Sequence, residues 1–159
     1  MGTTLILGVG NLLLSDEGFG VHVIQRLTQC YRFPEEVQVL DGGTLGLDLL
    51  YYLEGVENLI LVDAVQSEAE AGSLLRMEGD EVPAFLSLKM SPHQIGVPDM
   101  LFAAKLKDLY PRRVLLWGVQ PEWLDIGLEL SPPVAARVDE VVGEVVRQLE
   151  EWGIEAERQ

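Results

Sequence analysis

The chain of 159 residues has one cysteine, two histidines, and only 11 lysines and arginines against 26 aspartates and glutamates. A single thiol, Cys30, cannot close a disulfide within the chain, so nothing in the sequence marks an oxidising compartment. It falls at the end of a helical pattern, where a free thiol far more often packs than reacts. The shortage of cations leaves a formal charge of -15, which repels nucleic-acid phosphates and anionic lipid. No apolar run is long enough to span a bilayer, and no basic stretch precedes a long apolar core at the N-terminus. Met1-Gly2 opens like a myristoylation signal, but Ile6 stands where serine or threonine is required. The expectation is a soluble, cytoplasmic protein with neither a nucleic-acid nor a membrane partner.

Apolar residues make up 48% and charged residues 23%, an ordinary globular composition, and the length suits one domain spanning residues 1–159. Short apolar runs alternate with segments of helical spacing, the pattern of a layered α/β fold with a largely parallel sheet. Thr4–Val9, Val37–Leu40, Leu59–Val62 and Arg113–Val119 read as buried strands. Leu74–Met77 follows too short a connection for a crossover helix, which predicts an antiparallel edge strand. A helix carrying Phe19, Val23, Ile24 and Leu27 is expected to be capped by Ser15 or Asp16 and to end near Phe33-Pro34. Thr44 is expected to cap a second helix bearing Leu45, Leu49, Leu50 and Leu53. Met100, Leu101, Ala104 and Leu106 outline another. Ser131-Pro132 marks the start of a last helix, with a serine cap before a first-turn proline, and its stripe from Val134 to Leu149 belongs to the core.

Ligands of open α/β sheets bind beyond the carboxyl ends of the strands, so polar residues directly following strands are the candidates. Gly8-x-Gly10 after the first strand and Asp41 after the second outline a dinucleotide fold. The third small residue of that fingerprint would fall at Leu13, however, and Asp16-Glu17 would put negative charge where a pyrophosphate sits. Glu17 has a plain alternative as an acidic residue offsetting a helix dipole. Asp63 is harder to dismiss, because a carboxylate after four apolar strand residues costs several kcal/mol to desolvate without a cation or strong donors. His93 lies in a loop between Pro92 and Pro98, whereas His22 falls within the first helix, where a surface or packing role is expected. Two carboxylates and an imidazole suit zinc, nickel or a similar divalent ion with positions left open. No HExxH pair and no GxSxG elbow is present, and spacing alone does not establish a metal site.

The segments GVGNLLLSDEGFGVHV, LDGGT, LILVDAV, SPHQIG and LLWGVQPE, in order from Leu5 to about Pro121, closely resemble the hydrogenase maturation endopeptidases. The resemblance implies a three-layer α/β/α fold whose five-stranded, mostly parallel twisted sheet contains one antiparallel strand. It implies Glu17, Asp63 and His93 as metal ligands and Asp41 as a catalytic or substrate-recognising residue. It implies removal of a C-terminal extension from the precursor of a nickel-iron hydrogenase large subunit, a protein substrate rather than a small molecule. Nickel carried by that precursor is then the recognition element, and zinc or another divalent ion can occupy the site in isolation. A nickel-sensing chaperone that does not cleave would use the same three ligands.

Overall fold

In the computed structural model, residues 3–43, 46–89 and 97–159 are described, except the side chains of residues 46–49, 86–89 and 97. Strand β1 (Thr3–Val9) lies in the middle of the sheet, with β3 (Val37–Gly43) on one side and β4 (Val56–Ala64) on the other, both parallel to it. Strand β6 (Arg113–Val119) extends the parallel set beside β4. Strand β5 (Leu74–Glu78) closes the far edge antiparallel to β6, as its short connection predicts. The order is thus β3-β1-β4-β6-β5.

Alternate residues of the central strands feed two separate cores, because successive side chains of a strand point to opposite faces. Ile6, Ile60, Val62 and Leu115 pack with α1 (Phe19–Cys30) and α5 (Val138–Glu151) on one face. Leu5, Leu7, Leu61 and Leu116 pack on the other with the 3-10 segment Gly46–Leu53, α2 (Glu81–Lys89) and α3 (Val97–Leu106). Both faces of the parallel strands are covered, giving the three-layer arrangement. The connection from β1 to β3 passes on the α1 face and that from β3 to β4 on the other. The crevice between the carboxyl ends of β1 and β4 is therefore the topological switch point, where such sheets bind ligands.

Several local expectations are corrected. Neither Ser15 nor Asp16 caps the first helix. The chain makes a 3-10 turn over Ser15–Gly18 before α1, and no side chain caps either element. Helix α1 stops at Cys30, because residues Tyr31–Arg32 form β2, which pairs with β7 (Glu157–Arg158). The second helix is 3-10 rather than α, and its expected cap Thr44 lies outside the described residues. Helix α2 was not anticipated from the apolar spacing, whereas α3 forms where Met100, Leu101, Ala104 and Leu106 outline it, with Leu106 exposed at its end. Ser131 does stand before Pro132 at the start of the short α4 (Pro132–Ala135), but its hydroxyl is committed elsewhere. Among the described residues no helix is long and apolar enough to cross a membrane.

Candidate functional site

Glu17 and Asp63 meet at the switch point. Asp63 is the penultimate residue of β4, where its backbone pairs with Gly118 of β6, and Glu17 sits in the 3-10 turn that follows β1. Both are buried, with 6% of Glu17 and 2% of Asp63 exposed. Gly10 separates them, with φ at +126°, a backbone region open to glycine alone at little cost. A Cβ on Gly10 would overlap the Glu17 carbonyl oxygen and lie 3.4 Å from Asp63 Oδ1. The glycine is what lets β1 turn away while the two acidic residues close over its end.

Burial raises the Asp63 pKa well above the ordinary carboxylate value. The Ala64 N–H, donating to Asp63 Oδ1 at 2.8 Å, works against that rise, and the negative charge of Glu17 adds to it. Two carboxylates forced together out of water are stabilised by a cation between them, so this donor set fits a divalent ion. His93, the third expected ligand, lies outside the described residues. Among the described residues no third histidine, cysteine, aspartate or glutamate joins the pair.

Asp41 ends up near the same edge of the sheet. It is in register with Gly8 of β1, and the Gly10 N–H donates to the Gly43 carbonyl at 2.9 Å, so the ends of β1 and β3 are tied together. Its side chain is exposed, and Oδ1 accepts the Gly43 N–H at 2.9 Å. That bond aims the carboxylate without covering it. His22 is half-buried on α1, and burial lowers its pKa against a hydrogen bond with the Leu128 backbone, which agrees with the surface or packing role expected of it.

Asp16 was missed as more than a helix cap. It is fully buried, and its carboxylate collects four donors. Oδ2 accepts the N–H groups of Glu122 and Trp123, each at 2.8 Å, and the Ser131 hydroxyl at 2.7 Å. Oδ1 accepts the Ser131 N–H at 2.7 Å. The residue next to Glu17 thus pins the loop between β6 and α4 to the 3-10 turn. No sequence signal pairs Asp16 with partners more than a hundred positions away.

The crevice that a dinucleotide would need is occupied by these acidic residues, as the sequence implied. Leu13, which stands where that fingerprint needs a small residue, is exposed and lies outside the helix, so the misfit there is not one of helix packing.

The family model for hydrogenase maturation proteases matches residues 21–148. The chain is 46% identical over 153 residues to the hydrogenase expression/formation protein HupD of Rhodobacter capsulatus, covering 95% of this chain and 73% of that protein. It is 40% identical over 153 residues to the hydrogenase 2 maturation protease of Escherichia coli, covering 96% and 93% of the two. Its fold superposes on the structure of the hydrogenase maturating endopeptidase HybD from E. coli with a TM-score of 0.92 at 38% identity, covering 99% and 98% of the two chains. The fold and these relatives converge: the chain belongs to the hydrogenase maturation protease family.

Proposed function

We propose that this chain is a cytoplasmic endopeptidase that removes the C-terminal extension of a nickel-iron hydrogenase large-subunit precursor once nickel is in place. In this reading Glu17, Asp63 and His93 hold the metal, and Asp41 acts on the substrate. The observation that carries the reading is the pairing of two buried carboxylates, Glu17 and Asp63, at the carboxyl ends of β1 and β4. Family membership supplies the reaction class. The nickel is cargo of the substrate rather than a resident cofactor, and zinc or another divalent ion fits the same donors in the isolated protease.

A divalent ion bound here supplies Lewis-acid polarisation and a lowered pKa for bound water. The chain's own residues do the rest. Glu17 and Asp63 arrive from different elements and are already buried side by side in the fold, so the pair is positioned before a substrate docks. Asp41, exposed and oriented by the Gly43 N–H, is free to accept a proton from an attacking water or to hold the substrate backbone.

The test follows loss of the extension by mass after mixing protease with nickel-loaded and nickel-free precursor. The expected result is cleavage of the loaded form alone, lost in Asp41→Asn without loss of fold. Equal cleavage of both forms removes metal gating. No cleavage of either, with binding retained, makes the chain a nickel-sensing chaperone.

A further inference from the structure

Five large apolar residues stand exposed beside the site: Leu13 (61%), Trp123 (41%), Leu124 (37%), Ile126 (89%) and Leu128 (62%). They are not on a loose loop. The Gly127 N–H donates to the Leu13 carbonyl and the Ser15 N–H to the Gly127 carbonyl, each at 2.9 Å, forming an isolated parallel bridge between Leu14 and Gly127. The Ser15 hydroxyl donates to the Asp125 carbonyl at 2.8 Å, and Asp16 gathers the Glu122 and Trp123 amides as described. A chain segment held by this many hydrogen bonds gains nothing in stability from exposing isoleucine and leucine. A fixed apolar face of this kind marks a binding surface.

The face includes a groove of about 380 Å³ lined by Trp123, Ile126 and Leu128 together with Ser15, Asp125 and Glu129. Ser15, which lines the groove, belongs to the same 3-10 turn as Glu17. Its rim is acidic, with Asp125 and Glu129, on a chain of net charge -15. A second copy of this chain would bring the same acidic rim against itself, which disfavours a self-complementary pair.

We propose that this face docks the precursor polypeptide, with an apolar side chain of an extended segment seated in the groove and a basic residue beside it against Asp125 and Glu129. The proposal rests on the protease reading above and gives its substrate a second point of attachment. Asp16 makes that attachment mechanically continuous with Glu17, since one side chain ties the docking loop to the turn that carries the ligand.

The experiment measures kcat and KM of the full-length protease on nickel-loaded precursor for the wild type, Ile126→Glu, Leu128→Ser and Asp125→Lys. The expected result is a KM raised on the order of tenfold in the first two variants and severalfold in Asp125→Lys, with kcat within about twofold throughout. These side chains are exposed, so melting temperatures should not change; if Ile126→Glu misfolds, Leu128→Ser carries the test. Should the wild type bind but not cleave, the protease reading fails, and calorimetric affinity of the same variants for the same precursor decides the surface by itself. An unchanged KM or affinity in Ile126→Glu and Leu128→Ser overturns the proposal. So does a wild-type dimer in sedimentation that Ile126→Glu dissociates.

Discussion

Asp16 and Asp63 are both buried aspartates, and they are stabilised in opposite ways. Asp16 is surrounded by donors, three of them backbone N–H groups that cannot turn away. Asp16→Asn has to point an amide N–H at one of them, so it should cost about 2–4 kcal/mol in chemical denaturation. Ser131→Ala, which removes only the hydroxyl bond, should cost about 1 kcal/mol. Equal effects would mean that the backbone donors do not matter. Asp63 instead has its pKa raised, chiefly by burial and further by Glu17. Its folded form holds the proton to higher pH than the unfolded chain does. Ionisation therefore destabilises the metal-free fold progressively as pH rises from the ordinary carboxylate range through the raised value. Asp63→Asn should accordingly leave stability unchanged in acid and raise the melting temperature near neutrality, by about 2–4 °C for each kcal/mol recovered, while divalent-ion binding is lost. A lower melting temperature at neutral pH would show that the charged form is well compensated. Asp63 was legible in the sequence because a charge after four apolar strand residues has a visible cost. The role of Asp16 was not, because its partners lie 106 to 115 positions away.

At the scale of elements, strands were easier to read than helix ends. Leu5–Val9 and Val114–Val119, within β1 and β6, are short uncharged runs buried on both faces, and length alone separates them from helices. The start of α1 misled because Ser15-Asp16 has the composition of a cap, yet tertiary partners claim both side chains. The helix instead approaches the sheet through Gly20. A Cβ there would overlap the Val62 carbonyl oxygen and come within 2.6 Å of the Val9 carbonyl oxygen, both backbone atoms of the strands that frame the site. Close helix-to-strand packing is thus achieved by a glycine inside the helix rather than by the small residue that the dinucleotide fingerprint would place at position 13. Gly20→Ala should destabilise by about 3 kcal/mol, since backbone cannot yield as a side-chain tip can. Gly143, exposed in α5 with nothing within 4 Å of its added Cβ, is the matched control. Gly143→Ala should stabilise by about 0.5–1 kcal/mol. Thermal denaturation of the two variants decides the point, and a gain of similar size at both positions would mean that helix propensity rather than packing dominates.

On the scale of the whole molecule, the two described carboxylates of the site belong to elements that come together only when the sheet forms, one from the turn after β1 and one from the end of β4. The segments carrying Glu17 and Asp63 were legible as polar breaks after apolar runs, but the meeting of these two carboxylates was not, because it follows from crossovers on opposite faces of the sheet. The unfolded chain holds these groups far apart and binds a divalent ion only through scattered carboxylates. An ion bound by the isolated protease would therefore favour the folded state, and at a free concentration one hundred times its Kd it should add about 2.7 kcal/mol of stability. That corresponds to a rise in melting temperature of roughly 5–10 °C with zinc or nickel. A net charge of -15 also attracts divalent ions diffusely, so the measurement belongs at physiological salt, where exposed charges are screened beyond about 8 Å. Glu17→Gln keeps the shape of the turn while removing one charged ligand, and His93→Ala removes the imidazole. Both should abolish the metal-dependent shift and leave the metal-free melting temperature within a few degrees of the wild type. A shift of equal size in either variant would assign the stabilisation to diffuse surface binding and withdraw that residue from the ligand set.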